Sequence, residues 1–101
     1  MSLVVIKNYP NIEKLKQKAI EVLKKRGYKI VDIDRFDDPT VPYRFYLVDS
    51  SGTPLTADVI VRWFKVTQNI AHAISVDLII YGPSDYIVQL MSPLDLNKNS
   101  N

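Results

Sequence analysis

Apolar and polar residues follow one another along the first half of the chain in a pattern that predicts a strand, a helix and two further strands. Residues 3–6 form a continuous apolar run rich in β-branched side chains, which is typical of a strand buried on both faces. Residues 11–26 carry apolar side chains at helical spacing, after an asparagine suited to the N-cap. Residues 28–34 and 43–49 favour strands, and the two prolines between them predict a loop.

The second half of the chain repeats this order of elements. Residues 50–54 predict a turn, and residues 55–65 predict a strand that forms a hairpin with the strand before the turn. We expect a short helix over residues 67–74, capped by its first threonine, and then two apolar strands. These strands are predicted at residues 76–81 and 86–91, with a Gly-Pro-Ser-Asp turn between them.

The predicted fold is therefore α+β. Two βαββ-like halves, residues 1–50 and 55–92, would contribute to one antiparallel or mixed sheet with the helices packed against it. The chain of 101 residues would form a single domain, and the polar residues 93–101 would be a disordered tail. Side-chain identity between the halves is negligible, so an internal duplication is inferred from element order. Two like halves leave a seam between them, where ligand-binding clefts tend to occur.

The composition excludes several kinds of site. The chain has no cysteine, which excludes disulfides, thiolate zinc sites and cysteine catalysis. Without cysteine an oxidising compartment offers no advantage, and an intracellular location is expected. The apolar run at the start ends at Lys7, which makes it too short for a signal peptide or a membrane span, so no membrane partner is predicted. A net charge of +2 favours neither protein nor nucleic acid as the partner.

The order of elements over residues 11–81 is similar to the core of restriction-endonuclease-like nucleases. Those enzymes place an acid in one strand and Glu-x-Lys in the next, which together hold a divalent metal and activate water. The residues at comparable places are Asp49, Asp58 and Lys65, but no Glu-x-Lys occurs in the predicted hairpin. A metal-dependent nuclease is therefore the third function considered. No catalysis is predicted through Asp49, Asp58 or the single histidine, His72.

Four acids lie close together in the sequence at Asp32, Asp34, Asp37 and Asp38. Closely spaced carboxylates suit hard cations such as calcium or magnesium. Their spacing does not match the calcium-binding loop, which needs a central glycine and a terminal glutamate. We interpret these acids as solvated loop residues, and we predict neither a metal site nor a cofactor.

The first predicted helix is strongly basic and supports an alternative function, nucleic-acid binding. Lysine and arginine contact phosphates without reading the base sequence. The neighbouring aromatic side chains can stack on bases where they are exposed, and they are Tyr28, Tyr43, Phe45 and Tyr46. The basic residues assigned to this alternative are Lys14, Lys18, Lys24, Lys25 and Arg26.

The predicted hairpin has one apolar face and one mixed face. With the turn centred on Gly52, Phe45 would lie opposite Val59 and Leu47 opposite Ala57, so that the apolar faces coincide. Tyrosine and arginine on the mixed face combine contact area with directional hydrogen bonds, as in many protein-binding surfaces. The residues assigned to peptide binding on this face are Arg44, Tyr46, Asp58, Arg62 and Phe64.

The chain also resembles a group of viral proteins. It is short, free of cysteine and rich in lysine, isoleucine, valine and tyrosine, as in Leu3-Val4-Val5-Ile6-Lys7 and Asp77-Leu78-Ile79-Ile80-Tyr81. In composition and element order it is similar to the small proteins encoded by filamentous viruses of hot-spring archaea such as Acidianus. One protein of that group, of about this length, binds a peptide between two like halves. The resemblance implies a hyperthermophilic host, a location inside the host cell and a role in protein–protein contact, and it carries over no site residues.

The leading hypothesis is a non-enzymatic protein–protein interaction module that binds an extended peptide in a groove between its two halves. A sheet edge or a groove can hold such a peptide through main-chain hydrogen bonds and side-chain pockets. Nucleic-acid binding by the basic helix is the alternative.

Overall fold

The computed structural model describes residues 3–98, in which six strands and two helices follow one another along the chain. The first four elements are β1 (Val5–Lys7), α1 (Ile12–Lys25), β2 (Lys29–Arg35) and β3 (Tyr43–Val48). The last four are β4 (Pro54–Lys65), β5 (Ile70–Tyr81), β6 (Tyr86–Met91) and α2 (Pro93–Lys98). The predicted α+β class is confirmed, in a small fold built mostly from strands.

All of the strands in residues 3–98 belong to one sheet, in which β4 and β5 are the long central strands. The strand order is β1-β5-β4-β3-β2, and β6 also pairs with β5. β4 occupies one side of β5, while the other side pairs first with β1, in parallel, and then with β6, antiparallel. β2 therefore forms one lateral edge of the sheet, and β1 and β6 share the other.

α1 packs on one face of this sheet, called here the helix face, and the opposite face is called the far face. The helix buries Leu15, Ala19 and Leu23, which are spaced four residues apart and are 0% exposed. Because α1 contacts both β2 and β6, which lie at opposite edges, the sheet curls around the helix. The strands β3, β4 and β5 contribute alternate residues to the same core, among them Phe45, Leu47, Ala57, Val59, Val61, Val76, Leu78 and Ile80.

The ends of α1 follow the sequence signals closely. The Asn11 side chain accepts a hydrogen bond from the Lys14 backbone N–H at 3.1 Å, which satisfies one donor of the first turn. Beyond the last turn the backbone reaches φ +90° at Gly27, a conformation that glycine adopts without steric cost. The helix predicted over residues 11–26 is confirmed as Ile12–Lys25 between these two signals.

The β3–β4 hairpin has the predicted faces but a different register. Phe45 pairs with Ala57 instead of Val59, which centres the turn on Ser51. The Asp49 carboxylate fixes this turn by accepting hydrogen bonds from backbone N–H groups at and beyond its centre, both at 2.9 Å. Because a shift of two residues preserves the alternation of side chains, the apolar faces still coincide.

The helix predicted over residues 67–74 is wrong. That segment is a hairpin turn followed by the first part of β5, which runs unbroken to Tyr81. The Thr67 hydroxyl accepts hydrogen bonds from the backbone N–H groups of Asn69 and Ile70, at 3.2 and 3.0 Å, and so caps a turn instead of a helix. Buried alanines at alternate positions of the strand then allow it to pair closely on both sides.

Without that helix, the structure does not show two βαββ halves. The order of elements within residues 3–98 is β-α-β-β-β-β-β-α. The predicted halves meet at the paired strands β3 and β4, which lie side by side inside one continuous sheet.

The disordered tail predicted for residues 93–101 is also wrong in its first part, because Pro93–Lys98 forms α2. Ser92 and Asp95 exchange hydrogen bonds across the first turn of this helix. The Ser92 hydroxyl accepts from the Asp95 N–H at 3.2 Å, and the Asp95 carboxylate accepts from the Ser92 N–H at 2.9 Å. Leu96 then packs into the core. The last three residues of the chain lie outside the described part.

Candidate functional site

Alternation along β3 and β4 places all five residues assigned to peptide binding on the far face of the sheet. Two of them contact each other directly: Arg44 donates from Nε and Nη2 to the two carboxylate oxygens of Asp58, at 2.7 and 2.9 Å. The Tyr81 hydroxyl donates to the same carboxylate at 3.0 Å. Asp58 is 3% exposed, and its carboxylate raises the pKa of the Arg44 guanidinium through the hydrogen bonds and the charge. These partners occupy Asp58 within the sheet.

Two further residues of the predicted set are also paired within the sheet. The Tyr46 hydroxyl donates to Oδ2 of Asp34 at 2.8 Å, and this hydrogen bond raises the pKa of Tyr46. Arg62 donates from Nε to Oδ2 of Asp77 at 3.1 Å. Cross-strand pairs of this kind stabilise a sheet, and they orient Tyr46 and Arg62 towards neighbouring strands.

The predicted residues do not share one groove on the far face. Tyr46 lines a groove of about 460 Å³ at the hairpin end, and Arg62 lines another of about 360 Å³. Phe64 lines a third groove of about 460 Å³ beside α2, where its ring stacks on His72 with 6.3 Å between the centroids. The far face is therefore a surface of internally paired side chains and separate shallow grooves.

The basic residues assigned to nucleic-acid binding lie on and just after α1, and Lys14, Lys24, Lys25 and Arg26 are exposed while Lys18 is half-buried. Two of the aromatic residues that could have stacked on bases, Tyr43 and Phe45, are buried in the core. The exposed surface of the helix is therefore basic but has few aromatic side chains beside it.

The residues compared with a nuclease centre do not come together. Asp49 holds the hairpin turn through hydrogen bonds from Ser51 and Thr53, which lower its pKa. Asp58 points to the far face and Lys65, seven residues along β4, to the helix face. Within residues 3–98, no three acids, histidines or cysteines form a group that could hold a metal ion. The structure gives no support to a nuclease centre at these positions.

The edge formed by β2, called here the charged edge, is closed to further pairing. Its seven residues, Lys29–Arg35, include two basic and two acidic side chains. The pairing with β3 contains an irregularity at Val31, which bulges outward. The Asp32 carboxylate accepts a hydrogen bond from the N–H of Ile33 at 2.8 Å, so a donor of this edge strand already has a partner. Charges and bulges are the features by which natural proteins prevent edge-to-edge pairing.

The edge formed by β6 has the opposite character. Its exposed part, Tyr86–Gln89, is called here the uncharged edge, and the whole strand Tyr-Ile-Val-Gln-Leu-Met contains no charged residue and no proline. Tyr86, Ile87 and Gln89 are exposed, Ile87 at 57%. In the part of the chain that the structure describes, the backbone of this segment pairs with β5 alone. One side of β6 therefore presents unpaired main-chain groups next to apolar side chains.

A cluster of two tyrosines and an arginine stands at the start of the uncharged edge. The hydroxyls of Tyr28 and Tyr86 lie 3.3 Å apart, and Arg26 donates from Nη1 to the Tyr86 hydroxyl at 3.3 Å. The Arg26 guanidinium also lies 5.1 Å from the centroid of the Tyr86 ring, in a cation–π arrangement. The hydrogen bond from Tyr28 and the charge of Arg26 lower the pKa of Tyr86. This cluster joins the end of α1 to the start of β6.

A groove of about 260 Å³ runs between α1 and β6 behind this cluster. It is lined by Val22, Lys25 and Arg26 from the helical side and by Val88 from the strand. The groove is apolar at its floor and basic at its rim. It lies on the helix face directly beside the uncharged edge, so a chain bound to that edge would place side chains in it.

The uncharged edge was not assigned from the sequence, although one signal for it was present. Residues 29–35 carry four charges and residues 86–91 carry none, a difference between the two strands that the amino-acid sequence itself contains. Whether a strand lies at the edge of a sheet depends on the strand order, however. That order is decided by long-range pairing, which the local pattern does not contain.

Comparisons of the chain with protein-family models, with curated proteins and with solved structures find no match. Among residues 3–98, no helix is long and apolar enough to cross a membrane.

Proposed function

We propose that the protein is a non-enzymatic interaction module that binds an extended peptide as an added strand along the uncharged edge. The observation that carries this proposal is the exposed and uncharged segment Tyr86–Gln89, whose backbone pairs on one side only. Addition of a strand to an exposed sheet edge is a common mode of peptide recognition, in which main-chain hydrogen bonds supply affinity and side-chain pockets supply specificity.

The main-chain contribution follows from the geometry of antiparallel pairing. Alternate residues of β6 exchange both hydrogen bonds with β5, and the residues between them direct their N–H and C=O groups outward. Two of the four residues Tyr86–Gln89 therefore offer a donor and an acceptor to an added strand. Each hydrogen bond contributes about 0.5–1.5 kcal/mol net. A ladder this short needs side-chain contacts in addition.

The side chains of an added strand would find two different surfaces. Those on the helix face enter the groove of about 260 Å³ between Val22 and Val88. Those on the far face lie beside the exposed Ile87 and Gln89. An extended peptide therefore meets an apolar pocket with a basic rim on one side and an open apolar surface on the other.

The location differs from the one expected from the sequence. Two like halves are not present, and β3 and β4 pair side by side where the seam was expected. The far-face residues Arg44, Tyr46 and Arg62 are held by partners within the sheet. The uncharged edge is preferred because its main-chain groups and its groove are available without breaking an existing contact.

The first experiment selects peptides by display and measures their affinity by calorimetry. The variant Ile87→Lys/Gln89→Glu places two opposite charges on the uncharged edge at exposed positions without changing the net charge, and it should weaken binding by at least about tenfold while leaving the fold intact. The matched control is Val31→Lys/Val66→Glu, which places the same two charges at exposed positions away from β6 and should bind as the wild type does. Equal affinities for both variants would refute the proposed location.

A second experiment tests the main-chain contacts directly. Single N-methyl groups are introduced along a selected peptide, each of which removes one backbone donor. We expect affinity to fall at every second position and to change little between them, because alternate residues of a strand face the same neighbour. A loss that does not follow a period of two would contradict strand addition.

The surface of α1 supports nucleic-acid binding as a second candidate function. The observation in its favour is the exposed series Lys14, Lys24, Lys25 and Arg26 on one side of the molecule. Its test is a gel shift with short DNA and RNA over a series of salt concentrations. Binding should weaken steeply with salt, and replacing three of these residues by glutamine should flatten that dependence.

A further inference from the structure

We infer that the strand accepted by the uncharged edge is acidic, with the pattern acid-x-apolar-x-acid on the side that faces α1. This inference rests on the proposed function, since it names the chemistry of the partner at the same site. It is carried by the distribution of charge on α1, by the arrangement of Arg26 and by the spacing of helix and strand residues across the groove.

Basic charge is concentrated on and around α1, whose residues Lys25 and Arg26 adjoin the uncharged edge. The segment 11–29 contains seven basic and two acidic residues, a net charge of +5, in a chain whose total charge is +2. The rest of the chain is therefore acidic on balance, at −3. A partner that lies along α1 and β6 meets a strongly positive surface, which favours an acidic partner by charge complementarity.

The two flanks of α1 are not equivalent. Helical spacing places Lys18, Val22 and Lys25 on one flank, and the groove that joins Val22 and Lys25 to Val88 shows that this flank faces β6. Glu13, by contrast, pairs with Lys16 at 3.4 Å on the opposite flank. Helical spacing places Glu21 beside Lys18 and Lys25, so the flank that faces β6 carries one acid, and its basic residues outnumber it.

Arg26 is held in an arrangement from which it can donate hydrogen bonds to a carboxylate. Its guanidinium stacks over the Tyr86 ring at 5.1 Å and uses Nη1 to contact the Tyr86 hydroxyl. A guanidinium has five N–H donors, so donors remain for a carboxylate of the partner. A side chain already fixed in one arrangement loses less conformational freedom when it binds.

The spacing of side chains along one side of α1 matches the spacing of side chains along one face of an extended strand. Lys18, Val22 and Arg26 follow one another at four-residue intervals, about 6 Å apart along the helix axis. Residues on one face of a strand repeat every two positions, about 6.6–6.8 Å apart. A bound strand can therefore present an acid near Arg26, an apolar side chain over Val22 and Val88, and a second acid near Lys18.

Two other occupants fit these observations less well. A second copy of this chain, paired through β6, would bring two α1 surfaces of the same charge together. A nucleic-acid strand would satisfy the lysines but would leave the main-chain groups of Tyr86–Gln89 without ladder partners. An acidic peptide satisfies both the charges and the backbone.

The test compares three peptides of equal length that differ only at the two acidic positions. The first is Thr-Glu-Thr-Val-Thr-Glu-Thr, the second has glutamine for glutamate, and the third has lysine. We expect the acidic peptide to bind about tenfold or more tightly than the glutamine peptide, and the lysine peptide to bind least. The affinity of the acidic peptide should fall as salt is added.

The neighbouring residues Lys24 and Lys25 provide a matched pair of variants. Both are exposed lysines, but only Lys25 lines the groove beside β6. Lys25→Glu should weaken the acidic peptide by about tenfold and improve the lysine peptide, whereas Lys24→Glu should change either by less than about twofold. Equal effects of the two variants would overturn the inference, because general attraction to the whole molecule would then explain the binding.

Failure of the inference and failure of the proposed function give different results. If all three peptides bind equally and Ile87→Lys/Gln89→Glu weakens their binding by at least about tenfold, the acidic preference is wrong and strand addition stands. If neither these nor any selected peptide binds, the proposed function is wrong. A single-stranded oligonucleotide is also added as a competitor. The inference is overturned in favour of nucleic acid if the oligonucleotide displaces the acidic peptide at a concentration below that of the peptide, and if Lys24→Glu and Lys25→Glu weaken oligonucleotide binding equally. Self-association that competes with the peptide would overturn it in favour of a second copy.

Discussion

β2 forms one lateral edge of the sheet and β6 forms part of the other, with seven and six residues, and the two strands differ in nearly every property that controls pairing. The charged edge, Lys29–Arg35, has four charged residues, a bulge and a backbone N–H already bonded to Asp32. The uncharged edge, Tyr86–Gln89, has no charge and an exposed isoleucine. The irregularity in the pairing of β6 lies beyond it, at the buried end of the strand.

The difference between the charged edge and the uncharged edge indicates where a partner strand can be added. Exposed sheet edges favour unwanted association, and proteins commonly protect them with charges, bulges or covering segments. Here one edge has such protection and the other lacks it, and the edge without protection adjoins a groove with a basic rim. This contrast between the edges supports the proposal that a partner strand binds at the uncharged edge.

The largest expected effect is a loss of stability when the buried side of α1 is truncated. This helix contacts the strands at both edges, β2 and β6. Leu15→Ala or Leu23→Ala should lower the free energy of unfolding by about 2–5 kcal/mol, because each leucine is fully buried between α1 and the curled sheet. Denaturant unfolding followed by circular dichroism measures this loss. A variant with an unchanged midpoint would show that α1 does not hold the sheet in its curled form.

The next largest effect is expected from a variant that converts the charged edge into an uncharged one. Lys29→Thr/Asp32→Thr/Arg35→Thr removes three charges and releases the N–H of Ile33, so this edge should gain a tendency to pair. We expect the self-association constant in sedimentation equilibrium to rise by at least about tenfold. The matched control is Glu21→Gln/Lys24→Gln/Lys25→Gln on α1, which removes the same charges away from β2. Association that rises equally in both variants would mean that net charge, and not the edge, controls pairing.

A smaller effect distinguishes peptide binding at the far face from peptide binding at the uncharged edge. Tyr46→Ala/Arg62→Ala removes two cross-strand contacts and should lower the free energy of unfolding by about 1–2 kcal/mol. Peptide affinity measured by calorimetry should stay within about twofold of the wild type, since Tyr46 and Arg62 stand on β3 and β4, which β5 separates from β6. A tenfold loss of affinity in the folded variant would move the binding site to the far face.

The smallest effect concerns the contact that joins the β1 side of the molecule to the loop after β2. The Tyr9 hydroxyl donates to the Pro39 carbonyl at 2.9 Å, and burial, reinforced by Asp38, raises the pKa of Tyr9 from 10.0 to about 12. The folded protein thus holds this proton more tightly than the unfolded chain. The stability that results is complete below about pH 10 and is lost as the pH rises towards about 12.

Tyr9→Phe should therefore make the alkaline fall in the free energy of unfolding less steep, as measured by urea unfolding at several pH values. The control is the same pair of proteins below about pH 9, where Tyr9 keeps its proton in both the folded and the unfolded state and the two curves should run parallel. Curves for Tyr9→Phe and the wild type that stay parallel above about pH 10 would contradict the role assigned to Tyr9.

The sequence predicted the local elements wherever one periodic signal dominated. The N-cap at Asn11, the spacing of Leu15, Ala19 and Leu23, and the glycine after the helix were sufficient to define α1. Thr67, however, caps a turn as readily as a helix, and the choice was made by pairing between β4 and β5 over many residues. That one error produced the predicted duplication and its seam.

The candidate site was predicted less well, and for a related reason. Arg44, Tyr46 and Arg62 were placed on the correct face by alternation, but the pattern did not reveal that carboxylates on neighbouring strands already occupy them. Conversely, residues 86–91 looked like an ordinary apolar strand. Its position at an edge, and its nearness to Lys25, follow from the curl of the sheet around α1 and are not visible in the local sequence.

The most direct test of strand addition at the uncharged edge is amide hydrogen exchange, followed by NMR with and without the acidic peptide. We expect peptide binding to slow exchange at two alternate amides within Tyr86–Gln89, because only the outward-facing N–H groups gain a partner. The amides of Lys29–Arg35 should exchange at unchanged rates. Protection within β2, or a bound peptide that leaves all four amides of the uncharged edge unprotected, would contradict the proposal.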